Sequence, residues 1–186
     1  MSTVYAETDR LFLRALEADE LPRLVELIGD WEVVRWLGVV PYPYTMGNAE
    51  SFYADVEAAN ARGEPEFYAM ALKPNNLLIG GVGLHLPRSN DYAEGDMEIG
   101  YWLGKDFWGQ GFMSEAARRV ASLGFTRPKT RTIIATTEPD NKASQNVLRK
   151  TGLRDLGLAP LNYATLRGDK TVVKWSMTRE EWEKTV

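Results

Sequence analysis

Leu11 and Leu13 alternate with Phe12 and Arg14, so residues 8–14 read as an opening strand. The period then lengthens. Leu21, Leu24, Val25 and Ile28 recur at helical spacing between Glu17 and Ile28. Pro22 falls in the first turn, where its missing N–H costs little, and Gly29 stands in place for a C-cap. Asp30 is positioned to cap a short helix carrying Val33, Val34 and Leu37. Between Gly38 and Thr45 the chain is irregular, because Pro41 and Pro43 each restrict themselves and the residue before them. A third helix is expected from Asn48 to Ala61.

The middle of the chain returns to period two. Glu66–Leu72 reads as a strand, Lys73-Pro74-Asn75-Asn76 as a turn and Leu77–His85 as the next strand. In that strand Leu78, Val82, Leu84 and Leu86 take one side, and Gly81, Gly83 and His85 the other. A polar loop leads into a strand over Asp96–Leu103, followed by a glycine-rich turn and a helix from Phe112 to Phe125. The last third holds a β-branched strand at Arg131–Thr137, a helix over Asn141–Thr151 closed by Gly152, and strands at Leu153–Leu158 and Thr171–Met177. This order predicts a mixed α/β sheet with helices on its faces.

Composition narrows the chemistry. The chain has 186 residues, 44% hydrophobic and 26% charged, which suits a single globular domain over residues 1–186 with no repeat or linker. The absence of cysteine excludes disulfides, thiolate zinc sites, iron–sulfur clusters and cysteine nucleophiles. A lone histidine, His85, excludes a zinc site built from several imidazoles, and no metal is expected. A formal charge of −4 argues against a nucleic-acid partner and leaves room for a cationic substrate such as an amine. No apolar run approaches the roughly 18 residues of a membrane span. The first residues carry neither the basic nor the apolar region of a signal peptide, so no membrane partner and a cytoplasmic location are expected.

The informative stretch runs from Met97 to Ala116: a strand, a turn carrying Gly109 and Gly111, then a helix. The glycines let the backbone approach a ligand and adopt positive φ. The first helical N–H groups have no intrahelical partner, and the helix dipole adds positive charge there. Together they make a ready anion site suited to a pyrophosphate, or else a tight turn with no ligand. The two better-known phosphate loops fail: no Gly-Lys-Ser/Thr follows the turn, and Gly109-Gln110-Gly111 continues as Phe112-Met113-Ser114, without the third glycine of a dinucleotide fingerprint.

Four segments in order resemble the GNAT superfamily of acetyl-CoA-dependent N-acetyltransferases, most closely its RimJ/RimL-like branch of ribosomal-protein N-terminal acetyltransferases. They are Thr8-Asp9-Arg10-Leu11-Phe12-Leu13-Arg14; Ile99-Gly100-Tyr101-Trp102-Leu103; Trp108-Gly109-Gln110-Gly111-Phe112 with Glu115-Ala116; and Asn141 through Leu153, with Asn141, Ser144, Lys150 and Gly152 at the matching spacing. The resemblance implies the GNAT fold, a mixed, mostly antiparallel sheet flanked by helices. It implies acetyl-CoA as co-substrate and direct transfer of the acetyl group to an amine.

By the same resemblance, Gly109, Gln110, Gly111, Phe112, Met113 and Ser114 would hold the pyrophosphate. Trp108 and Met113 depart from the superfamily's Gln/Arg and Gly/Ala at the two ends of that motif. The strand end Tyr101-Trp102-Leu103 would pair its backbone with the pantetheine arm and offer an N–H to the acetyl oxygen. Asn141 would bond the pantetheine amides, and Ser144 would stand near the leaving sulfur; read alone, both suit the start of a helix, Asn141 as cap and Ser144 as an exposed first-turn residue. Many superfamily members place a tyrosine acid seven residues after the asparagine, where this chain has Leu148.

The base stays open among Glu98, His85 and a water chain. Glu98 is alternatively a solvent-facing or salt-bridged strand residue, and His85 a structural one. Trp31, Trp36, Tyr42, Tyr44 and Phe52 are either core or acceptor lining. The acceptor is expected to be a peptide N-terminus, a polyamine or an antibiotic-like amine, with a homodimer left open. The rival reading is a non-catalytic acyl-CoA-binding module on the same fold.

Overall fold

The computed structural model describes residues 2–63, 65–89, 92–168 and 170–185. Eight strands form one sheet: β1 (Val4–Glu7), β2 (Leu11–Arg14), β3 (Phe67–Leu72), β4 (Leu78–His85), β5 (Asp96–Leu103), β6 (Thr132–Thr137), β7 (Arg154–Pro160) and β8 (Thr171–Thr178). Their order is β1-β2-β3-β4-β5-β6-β8-β7, with β5 and β6 parallel and every other neighbouring pair antiparallel. Between β2 and β3 lie α1 (Leu21–Gly29), α2 (Trp31–Val34) and α3 (Met46–Asn60). The crossovers after β5 and β6 are α4 (Phe112–Thr126) and α5 (Lys142–Thr151), and α6 (Arg179–Glu183) follows β8. Among the described residues, no helix is long and apolar enough to cross a membrane.

The sheet separates two apolar layers. Met113, Ala116, Ala117, Val120 and Ala121 of α4 pack with Val82, Leu84 and Ile99 on one face. Leu24 and Leu27 of α1 and Ala49 of α3 pack with Ala69 and Leu78 on the other. Burial of these small and branched side chains removes apolar surface from water at roughly 25 cal/mol per Å².

Several element ends differ from the sequence reading, each for a local reason. Residues 8–10 are a turn rather than strand. The Thr8 N–H donates to the Leu11 carbonyl at 3.0 Å and the Leu11 N–H to Thr8 Oγ1 at 3.0 Å, which reverses the chain and makes Val4–Glu7 a separate strand. Gly29 is the last residue of α1 rather than its cap. Asp30 follows in extended geometry and caps α2 instead, its side chain accepting the Glu32 N–H at 2.8 Å. Leu37 lies beyond α2. Helix α3 starts at Met46, earlier than Asn48, because Thr45 and Asn48 form a reciprocal capping box. Strand β4 ends at His85, and Leu86 is exposed rather than on the buried face.

Arg14 was expected to alternate with the apolar leucines, yet it is 1% exposed. Its Nη1 and Nη2 meet both Glu20 carboxylate oxygens at 2.8 and 2.6 Å, and its Nε donates to Asn76 Oδ1 at 2.9 Å. A guanidinium this deep needs its counter-ion. Glu20→Ala is therefore expected to destabilise the protein by about 3 kcal/mol, the scale for stranding a buried charge, as a lowered urea midpoint would show.

Strands β5 and β6 pair only at Asp96, Met97 and Glu98, opposite Thr132, Ile133 and Ile134. Beyond Glu98 they part, while β5 stays paired with β4 through Leu103. The Gly104 N–H bonds to Ile79 O at 2.9 Å, and antiparallel alternation therefore turns the backbone groups of Gly104, Trp102 and Gly100 toward β4. Those of Ile99, Tyr101 and Leu103 face the side that β6 has left. The split opens the sheet where the function-bearing segments meet.

Candidate active site

A cavity of about 730 Å³ runs through this split. It is lined on one side by Tyr101, Leu103 and the start of α4, and on the other by Glu98, Trp102 and His85. Of the site residues expected from sequence, all but Gln110 line it. Gln110 turns away: its side-chain amide donates to the Asp106 carbonyl at 3.0 Å, and its own carbonyl accepts from Arg10 at 2.9 Å.

The bend before α4 has the geometry an anion cradle needs. Gly109 and Gly111 adopt φ of 73° and 83°, a region that side chains with a Cβ resist. Gly111 is the N-cap of α4, with no side chain supplying a capping bond. A Cβ on Gly109 would meet nothing within 4 Å, so the bend is open to a ligand. Met113 does not close it, being 6% exposed and packed into the core while also bordering the cavity. The Trp108 indole donates to Leu103 O at 2.7 Å, which ties the bend to the end of β5 and occupies that carbonyl. The backbone groups of Ile99 and Tyr101 remain directed at the gap.

At the opposite wall, Asn141 caps α5, its Oδ1 accepting the Ser144 N–H at 3.0 Å. The capping role is thus realised, and only the side-chain NH₂ is left for a ligand. Ser144 is half-buried rather than exposed, and its Oγ lies 2.9 Å from the Tyr101 hydroxyl, which also donates to the Ser144 carbonyl at 3.1 Å. Burial drives the Tyr101 phenol far above its ordinary pKa, while the bond to Ser144 opposes that shift. Sequence reasoning assigned Tyr101 only a backbone role. Leu148, in the position where a tyrosine is common, is buried in the core, and β5 brings a phenol to Ser144 from another element.

On the other face, Glu98 and His85 are directly opposite in the β4–β5 register. Among the described residues, Glu98 has no salt-bridge partner, and it does not face solvent. It is 7% exposed, and its Oε2 is buried without a hydrogen-bond partner. His85 Nδ1 lies 2.8 Å from Leu86 O, a contact that assigns the proton to Nδ1 and leaves Nε2 beside Gly100. Tyr163 reaches the same region from the loop before β8. Burial and then the Glu98 charge raise its phenol, against hydrogen bonds to Thr136 and Arg88.

That loop also roofs the cavity. The Leu166 N–H donates to Gly38 O at 2.8 Å, and Arg167 donates to the carbonyls of Leu37 and Val40. Of the five aromatic residues weighed as acceptor lining, only Trp36 borders the cavity. Tyr44 and Phe52 belong to the core, and Trp31 and Tyr42 pack edge-on against each other at the surface.

This split sheet and glycine bend coincide with the region matched by a family model, that of the acetyltransferase (GNAT) domain, over residues 10–154. The chain belongs to the GNAT acetyltransferase family. It is 30% identical to the N-acetyltransferase p20 of Bacillus licheniformis, over 85% of each chain. The fold is shared with RimL, a ribosomal-protein α-N-acetyltransferase solved with coenzyme A, at a TM-score of 0.75 and 20% identity over 94% of this chain and 97% of the other. It is shared too with the spermidine N-acetyltransferase of Vibrio cholerae, solved with coenzyme A and spermine, at 0.73 and 19% identity over 93% and 98%. As a GNAT enzyme, the protein is an acyltransferase that moves an acetyl group from acetyl-CoA to nitrogen.

Proposed function

We propose that the acetyl group passes directly to a primary amine that enters from the Glu98 side of the sheet. The supporting observation is the buried, unpartnered Glu98 oxygen on a cavity that is continuous with the glycine bend. A buried carboxylate oxygen without a donor is satisfied when an ammonium arrives. The ammonium, with a pKa near 10, must lose its proton before attack, and Glu98 takes it directly or through a water; His85 Nε2 is the second candidate.

The amides from Gly109 to Ser114 hold the pyrophosphate, Gln110 contributing backbone alone. The backbone of Ile99 and Tyr101 and the Asn141 amide hold the pantetheine arm, with Trp102 and Leu103 walling it. In the transfer a nitrogen–carbon bond forms and the carbon–sulfur bond breaks. The proton that the attacking nitrogen loses as the amide forms balances the departing thiolate, to which Ser144 Oγ, held by the Tyr101 hydroxyl, donates a hydrogen bond. Having no cysteine, the chain has no thiol to carry the acetyl group, in keeping with direct transfer.

The amine is one that a peptide N-terminus, a polyamine or an antibiotic-like molecule presents. RimL and the spermidine enzyme, alike in fold, act on the first and the second. Acetyl-CoA is held inside cells, which places the proposed reaction in the cytoplasm.

Thiol release from acetyl-CoA, measured across N-terminal peptides, polyamines and aminoglycosides, tests the proposal. Turnover with at least one class is expected. Coenzyme A binding with no thiol release on any of them would leave a non-catalytic binding module. Ser144→Ala is expected to lower kcat about ten- to a hundredfold, the worth of a hydrogen bond to a charged group, with acetyl-CoA affinity kept within about threefold. Full activity in that variant would remove Ser144 from the mechanism.

A further inference from the structure

Arg10 plays no part in the reaction above, yet its side chain bonds both to the glycine bend and to the first turn of α4. It stands in the turn between β1 and β2 and approaches the bend from behind. Its Nη1 donates to the Gln110 carbonyl at 2.9 Å. Its Nε donates to Glu115 Oε2 at 2.7 Å, with Nη2 at 2.7 Å from the same oxygen, and its backbone N–H donates to Glu115 Oε1 at 3.0 Å. The guanidinium carbon lies 4.3 Å from the centroid of the Phe112 ring. A Cβ on Gly111 would come within 3.5 Å of Nη2.

An exposed ion pair is ordinarily worth little, and the Arg10 side chain is 45% exposed. Two features give this one a further role. First, the bend is built on glycines at positive φ, whose freedom must be lost before a ligand is gripped. A planar fork that fixes the Gln110 carbonyl and the first turn of α4 removes that freedom in advance. Second, Glu115 places a carboxylate in the first turn of α4, beside the end of the helix that would receive an anion. Although burial pushes that carboxyl up, bonds from Thr8 and Arg10 outweigh it and hold the group below its ordinary pKa, hence charged. Without Arg10 it would repel a diphosphate.

We infer that Arg10 is a positioning residue that sets the glycine bend for the diphosphate of coenzyme A and neutralises Glu115 beside it. The inference rests on the acetyl-CoA reading above. It concerns the diphosphate end of the co-substrate alone, and that makes it separable from folding and from chemistry at the thioester.

The experiment compares acetyl-CoA with acetyl-pantetheine, which has the same thioester and no diphosphate. In Arg10→Gln, the Kd for coenzyme A by calorimetry and the KM for acetyl-CoA are expected to rise about tenfold, as loss of a charge-assisted contact set would give. In the same variant kcat/KM for acetyl-pantetheine stays within about twofold of the unaltered protein. Arg10→Lys keeps the charge but cannot hold Gln110 and Glu115 in one fork, so it is expected to lose about threefold, again with acetyl-CoA alone. Should Arg10→Gln fail to fold, the lysine variant carries the comparison by itself. Unchanged coenzyme A affinity, or an equal loss with acetyl-pantetheine, would overturn the inference and reduce Arg10 to a surface brace. No coenzyme A binding by the unaltered protein would overturn the functional reading first, before any substitution is made.

Discussion

Gly111→Glu is expected to abolish coenzyme A binding while the sheet and its helices remain assembled. Two effects act together. The position has φ of 83°, where a Cβ costs roughly 1–2 kcal/mol, so the bend shifts toward negative φ and its amides turn from the cavity. The new side chain starts 3.5 Å from Arg10 Nη2, so its carboxylate competes with Glu115 for that guanidinium and adds a second negative charge beside the first turn of α4, where it repels a diphosphate. Gly111→Ala separates the two. It carries the conformational strain without the charge and is expected to weaken binding without eliminating it. Calorimetric titration reads both variants, and wild-type affinity in Gly111→Glu would remove the anion site from the account.

Glu98→Gln is expected to lower kcat about 10²- to 10³-fold, within the usual range for losing a general base, with acetyl-CoA affinity held within about twofold. A second consequence separates this loss from damage to the fold. The Glu98 Oε2 is buried without a hydrogen-bond partner among the described residues, so exchanging the carboxyl for an isosteric neutral amide breaks no hydrogen bond to that oxygen. The thermal midpoint of the variant should equal or exceed that of the unaltered protein. Such an opposition of stability and activity is what a strained catalytic carboxylate produces. Undiminished kcat would shift the base to His85 Nε2 or to a water, and His85→Gln would then decide between those two.

The elements themselves were largely legible. Apolar period and punctuation placed β3, β5, α4, β6 and α5 close to their observed bounds, because those signals are local: a face to bury, a Gly152 to close a helix. The errors sit where short-range hydrogen bonding competes with the pattern. Thr8-Asp9-Arg10, joined in the sequence reading to the Leu11–Arg14 strand, instead turns, since the Thr8 hydroxyl and backbone satisfy Leu11 from both sides. Thr45 and Asn48 start α3 earlier than the apolar residues suggest, by capping each other's backbone.

The glycine bend could be located from sequence because the function proposed for it lies in the backbone. Positive φ and bare amides leave a mark in residue type, namely Gly109 and Gly111 before a helix. Side-chain chemistry left no such mark. Tyr101 meets Ser144 across 43 residues, and Arg10 meets Glu115 across 105. Nothing in the spacing of either pair announces the meeting.

Sequence alone therefore determined the order of strands and helices from β2 to β8, the place of the glycine bend, and the exclusion of thiol chemistry, since each depends on neighbours in the chain or on residue types absent from it. Only the tertiary structure decided that β5 and β6 part after Glu98, that the Glu98 carboxylate lies buried without a partner, and that Arg10 grips the bend from a distant turn. Those are outcomes of packing between remote segments, in which burial and hydrogen-bond supply are set by what the fold brings alongside.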